Sequence, residues 1–143
     1  MIYEDRIPIS LEKKAKKTAG KTFLPKDIDP TILQTFAYEY PKRKIWVELT
    51  SNEFSCLCPF SGLPDFALLT IKYIPRRKII ELKALKYYLY SFRNVKIYNE
   101  HVVNKILQDL EKVLKPHEII VEGEFTSRGG VKNRVRAHHK SRR

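Results

Sequence analysis

The apolar period of this chain changes twice between Ile45 and Ala137, and that change constrains its fold more than any other feature. After Lys42-Arg43-Lys44, the run Ile45 to Thr50 reads as a strand. Asp65 to Tyr73, carrying Phe66, Leu68, Leu69, Ile71 and Tyr73, reads as a second strand. Pro75-Arg76-Arg77 then turns the chain into Lys78-Ile79-Ile80-Glu81, which predicts an antiparallel pair there. From Lys83 onward Leu85, Tyr88, Leu89 and Phe92 recur at helical spacing. Val102, Val103, Ile106, Leu107, Leu110, Val113 and Leu114 do so over a longer stretch that Pro116 stops. Strand character returns at Glu118 to Phe125, Arg128-Gly129-Gly130 offers a tight turn, and Lys132, Arg134 and Arg136 alternate with Asn133, Val135 and Ala137. The order is ββααββ, an α+β unit whose four antiparallel strands are too few to close a barrel alone. Unpaired edges are a liability, so joining subunits edge to edge, and closing the barrel by oligomerisation, is the expected remedy.

A chain of 143 residues has the length of one domain, and 43% hydrophobic residues with 16 aromatics exclude wholesale disorder. The net charge of +12 permits attraction to polyanions without proving it. Residues 1–22 hold six cations against three acids and residues 132–143 hold six cations and no acid, so the two ends carry +9 of that charge. The expected layout is a basic N-terminal leader over 1–22 followed by a single domain over 23–143 with a basic, solvated C-terminal end. The start of the chain has no apolar run of signal-peptide type, and no stretch of roughly 18 uncharged apolar residues occurs, so a soluble cytoplasmic protein is expected. Cys56 and Cys58 suit a reducing compartment, and no histidine stands in a finger-like spacing to them, so no metal is expected.

The segment Ser51 to Pro64 reads as a loop, rich in turn residues yet holding both cysteines, Phe54 and Phe60. Within and beyond it stand Cys58-Pro59-Phe60-Ser61-Gly62-Leu63-Pro64-Asp65-Phe66-Ala67, then Glu81-Leu82-Lys83-Ala84-Leu85-Lys86-Tyr87-Tyr88, then Asn99-Glu100. Together these motifs resemble the QueF family, the NADPH-dependent 7-cyano-7-deazaguanine reductases of queuosine tRNA modification. The resemblance spans about Ile28 to Val131. It implies a T-fold, two helices on one face of the four-stranded sheet, with active sites at subunit boundaries in a homo-oligomer, a decamer of two pentameric rings. It implies Cys58 as nucleophile and Asp65 as acid. Ile80, Glu81, Leu82, Asn99 and Glu100 fall on substrate-binding positions, although the family usually has histidine where Asn99 stands. An amide can hydrogen-bond a base but cannot take up a proton. NADPH binding falls on Lys83 and Lys86, and Arg128, Gly129 and Gly130 match the family's Arg-Gly-Gly turn. Cys56 matches no catalytic position.

The chemistry explains these residue types. A thiolate can attack a nitrile carbon to give a covalent thioimidate, while a neighbouring carboxylic acid protonates the nitrogen. Lysines and an arginine fork suit cofactor phosphates, and a carboxylate at Glu100 suits the N–H edge of a guanine-like base. Each residue also has a plainer reading. Cys58 can be a small buried hydrophobe, Asp65 a turn cap, Glu100 a partner of the helix dipole, Lys83 and Lys86 a solvated face, and His101 a surface residue. Two other functions stay open. One is an archaeosine-forming QueF-like enzyme that adds ammonia to the nitrile carried on tRNA, which would use the basic ends for tRNA contact. The other is a non-catalytic RNA-binding module whose aromatics stack on bases.

Overall fold

In the computed structural model, which describes residues 21–142, the alternating runs become long strands. The elements are β1 (Thr35–Ala37), β2 (Val47–Leu57), β3 (Pro64–Ile74), β4 (Lys78–Ile80), α1 (Leu82–Tyr90), α2 (Asn99–Leu114), β5 (Glu118–Arg128) and β6 (Val131–Lys140). Two 3-10 turns, Pro25–Asp27 and Pro30–Ile32, precede β1. The main sheet is antiparallel in the order β2-β3-β5-β6, and β1 and β4 form a separate antiparallel pair. The expected α+β architecture is therefore present, with both helices on one face of a four-stranded sheet.

That face is set by the period of two. Phe54 and Cys56 of β2, Leu69, Ile71 and Tyr73 of β3, Ile119, Val121 and Phe125 of β5 and Ala137 of β6 are all buried. Helix α2 answers with Val102, Val103, Ile106, Leu110 and Leu114, and α1 with Ala84, Leu85, Tyr88 and Leu89. Each large apolar side chain withdrawn from water in this layer contributes about 1.5–3 kcal/mol. Helix α2 lies close on β5 because residue 123 is glycine: a Cβ there would stand 2.9 Å from the Phe125 ring and 3.3 Å from Val103 Cγ1. Among the described residues the layer holds one buried charged side chain. Asp109 accepts from the Tyr88 hydroxyl at 2.6 Å and from Lys105 Nζ at 3.1 Å, tying α2 to α1. Burial first, then the bond to Asp109, pushes the Tyr88 hydroxyl's pKa far up, so it remains a donor.

Three expectations need correction. The segment read as a loop from Ser51 to Pro64 is strand through Leu57. The register shifts between Ser51 and Phe54, so a bulge absorbs the polar Asn52 and Glu53. Lys78–Ile80 does not pair with the strand before it. It pairs with Thr35–Ala37, a strand too short to announce itself, because Tyr73 Oη accepts from the Ile80 N–H and holds the chain away from β3. The alternation read at Lys132 to Ala137 is present as β6, which continues through Lys140 with most of its side chains exposed. The first helix stops at Tyr90, two residues short of Phe92, where the chain turns under its own core. The leader expected over 1–22 lies almost entirely outside the described residues. No helix among those described is long and apolar enough to cross a membrane.

Candidate active site

The turn that joins β2 to β3 is built around Cys58. The Cys58 N–H donates to Leu63 O at 2.8 Å and the Gly62 N–H returns to Cys58 O at 2.8 Å. Gly62 sits at φ +72°, where a side chain would be strained, so glycine is what lets six residues reverse the chain this tightly. The reversal folds the Ser61 N–H back onto Cys58 Sγ at 3.5 Å, while Ser61 Oγ accepts from Leu63 N at 3.2 Å. The Ser61 side chain, then the N–H groups of Ser61 and Phe60, hold the Cys58 pKa below the ordinary thiol value, against burial and the charge of Asp65. Phe60 and Leu63, exposed at 94% and 59%, leave the mouth of this turn apolar and open.

Cys56, two residues earlier, is fully buried in β2. Burial first, then Asp65 and Cys58, pushes its pKa up to about 12. It is an inert core thiol. Of the two cysteines, Cys58 alone is both reachable and primed for the thiolate form.

Asp65, the second residue of β3, stands opposite Cys56. Its side chain is 12% exposed and its Oδ1 is paired with Arg128 Nη2 at 2.9 Å. Arg128 Nη2 also donates to Pro64 O at 2.5 Å, reaching across from the hairpin whose Gly129 and Gly130 have φ of +56° and +77°. Arg128, expected among cofactor contacts, is thus the partner of the expected acid. Glu100, in the first turn of α2, accepts from Asn133 Nδ2 at 3.2 Å. It is delivered to the thiol end of the sheet by the chain before it, where the Leu57 N–H donates to Val95 O and the Ile97 N–H to Leu57 O. Asn99 beside it has its Oδ1 buried with no hydrogen-bond partner. His101 is exposed and stacks edge-on to Tyr98, as a surface residue would.

One end of the sheet therefore gathers Cys58, Asp65, Arg128 and Glu100. Ile80, Glu81 and Leu82 are not with them. Ile80 is tied to Tyr73, eight residues along β3 from Asp65, on the order of 25 Å at a strand rise of about 3.3 Å per residue. Glu81 is the N-cap of α1, its carboxylate accepting from Lys83 N at 3.0 Å and Ala84 N at 2.6 Å. Those two N–H groups, Ala84 first, and then the charge of Lys83 hold the Glu81 pKa below its ordinary value. Leu82 is exposed, as are Lys83 and Lys86, and Lys86 Nζ sits 5.4 Å from the centre of the Tyr87 ring. Along the outer side of α1 an open cleft runs past Ile32, Tyr87, Tyr90, Ser91 and Arg93. Its flat rings and the Arg93 cation suit a nucleotide cofactor, and Lys83 and Lys86 lie on α1 beside it.

Sequence reasoning named Ser61 only as a turn residue and did not find Asn133. The first acts through a bond that depends on the turn's closure, and the second through a register that pairs Asn133 with Phe125 near the end of β5.

Comparison with known proteins places the chain among relatives. The family described as QueF-like protein matches residues 64–143. The chain is 48% identical over 126 residues to the NADPH-dependent 7-cyano-7-deazaguanine reductase of Thermoanaerobacter pseudethanolicus, covering 88% of this chain and 95% of that one. It is 53% identical over 112 residues to the protein of the same name from Caldicellulosiruptor bescii, covering 78% and 86%. Its fold resembles the crystal structure of the archaeosine synthase QueF-Like in the apo form, with a TM-score of 0.61, 24% identity, and coverage of 65% of this chain and 91% of that chain. On the family match and the reductase relatives, the chain belongs to the QueF-like protein family.

Proposed function

We propose that this chain is a reductase that uses NADPH to convert the nitrile of 7-cyano-7-deazaguanine to the aminomethyl group, in the queuosine pathway. The observation that carries the chemistry is the contrast at β2: a thiol at Cys58 whose pKa is held below the ordinary value by the Ser61 side chain and the N–H groups of Ser61 and Phe60, beside the Asp65 side chain, at the open end of the sheet. Cys58 Sγ attacks the nitrile carbon, the C–N π bond takes up the electron pair, and Asp65 relays the proton released by the Cys58 thiol to nitrogen, leaving a thioimidate on Cys58. NADPH supplies the hydride in each of two reductions. Lys83 and Lys86 meet its phosphates, and the Tyr87 and Tyr90 rings offer faces for its aromatic parts. Glu100, oriented by Asn133, accepts from the N–H edge of the purine-like base, and Asn99 Oδ1 takes a further donor from it.

The separation of Ile80 to Leu82 from Cys58 within one chain supports a site shared between copies. In this reading the free edges of β2 and β6 pair with those of neighbouring copies, closing a T-fold barrel in a ring and bringing one copy's α1 to another's thiol. The decamer of two pentameric rings follows from the same reading, and the compartment is the cytoplasm.

The reductase reading is favoured over the tRNA-acting amidine synthase because the Glu81 to Tyr87 segment and the cationic face of α1 serve a nucleotide cofactor. A non-catalytic RNA module leaves the primed thiol without a use. The test is stoichiometry: mixing enzyme, nitrile base and NADPH should consume two NADPH per nitrile, read at 340 nm. Loss of ammonia-dependent nitrile with no NADPH oxidation would transfer the assignment to the synthase.

A further inference from the structure

The end of the sheet remote from Cys58 holds a second arrangement of polar groups that the reductase chemistry does not use. A cavity of about 310 Å³ is lined by Arg76, Glu111, Lys115, Pro116, His139 and Ser141. Arg76 follows the end of β3 at Ile74, and Asp65 stands near its start, roughly 30 Å from Ile74 at about 3.3 Å per residue, so this is not an extension of the candidate active site.

Three features of the cavity are those of an anion site. Its lining is net cationic, since Arg76 and Lys115 outnumber Glu111, with His139 Nε2 standing 3.8 Å from Glu111 Oε1. The guanidinium is pre-oriented. Arg76 Nε donates to Lys115 O at 3.4 Å and Nη2 to Ser141 Oγ at 3.1 Å, which fixes the plane and leaves the rest of the fork for a ligand. Lys115 occupies the left-handed region at φ +45° at the end of α2 and makes no ion pair among the described residues. Beside it His117 is anchored by backbone bonds to Ile74 and Ser141, yet its Nδ1 is buried with no partner. Burial, then the nearby charges of Arg76 and Lys44, keep that ring's pKa low, so at neutral pH it is an uncharged imidazole with one hydrogen bond unmade.

We propose that this cavity binds a single phosphate group, as inorganic phosphate or a phosphate monoester, held by the Arg76 fork, Lys115 and His139. A planar fork, an ammonium and an imidazole around a small, half-open cavity match a tetrahedral oxyanion. Glu111 opposes the ligand and limits its affinity. A nucleic-acid backbone would need a continuous cationic groove, which a pocket of this size does not provide.

The experiment follows the imidazole signals of the full-length protein by NMR during titration with sodium phosphate, against sodium chloride at matched ionic strength. Saturable shifts of the His117 and His139 signals, specific to phosphate, are expected, with half-saturation in the millimolar range or below. A parallel titration with adenosine monophosphate separates the sources: tighter binding than inorganic phosphate assigns the site to monoesters, and exclusion assigns it to the free ion. Lys115→Gln combined with His139→Gln should weaken phosphate binding at least about tenfold and leave NADPH oxidation unchanged. Glu111→Gln should tighten it about threefold or more, a gain that misfolding does not produce. Shifts that chloride reproduces, or an affinity indifferent to both sets of substitutions, would overturn the proposal and leave Arg76 as a cap on the α2 carbonyls alone.

Discussion

The inner end of β2 and the turn that leaves it carry the same side chain in opposite chemical states. Cys56 lies inside the sheet layer, where hydrocarbon on every side and the nearby charges of Asp65 and Cys58 make a thiolate costly. Cys58 lies beyond the last paired residue, where the reversed backbone aims N–H groups at sulfur and the Ser61 side chain adds to them. A single residue, Leu57, separates them along the chain, and no difference in covalent chemistry does. What raises or lowers a cysteine's pKa here is therefore the point at which the strand ends, since that decides whether donors or methyl groups surround the sulfur.

The largest test of this contrast is removal of each sulfur. Cys58→Ala should lower turnover by at least about 10⁴-fold and abolish the mass increment formed with the nitrile in the absence of NADPH. Cys56→Ala should retain both. An adduct that survived at residue 56 would invert the comparison.

Asp65 bears on both thiols, and its charge opposes the thiolate at each. Asp65→Asn should cut turnover by about 10²–10⁴ while Cys58 reacts with iodoacetamide as fast as before or faster. If alkylation slowed together with turnover, Asp65 would be supporting the sulfur and not the substrate nitrogen.

The buried thiol makes its own prediction in stability. Its folded pKa is raised, so the stability it contributes is complete below the unfolded value near 9 and is lost as pH rises toward about 12. Denaturant unfolding of the parent protein against Cys56→Ala should show the parent losing up to about 1.4 kcal/mol more per pH unit across that window. Parallel curves would mean that Cys56 meets water in the folded state.

The smallest effect belongs to the turn. Ser61→Ala should slow turnover at neutral pH by about threefold to tenfold, the worth of one hydrogen bond, with recovery as pH is raised because thiolate then forms without help. A loss independent of pH would place Ser61 in substrate contact instead.

Much of this protein was readable along the chain. The two helices were legible because Leu85, Tyr88 and Leu89, and Val102, Ile106 and Leu110, repeat on one face, and a core layer rewards that spacing wherever the helix lies. The four long strands were legible through alternation for the same reason. What misled was the polar stretch Ser51 to Glu53. A bulge hides its irregular spacing inside β2, and no local signal distinguishes that from a loop. The pairing of Lys78–Ile80 with Thr35–Ala37 was equally unreadable, because three-residue strands take their partner from what the rest of the fold leaves open.

The motifs around Cys58, Glu81 and Glu100 were determined by sequence alone, since residue type and spacing are local properties and suffice to name the chemistry. The tertiary structure alone decided which groups meet. It put Arg128 on Asp65, Asn133 on Glu100, and Ile80 to Leu82 at the far end of β3. Each of those contacts depends on strand register between segments distant along the chain, and register is fixed only when the whole sheet is packed.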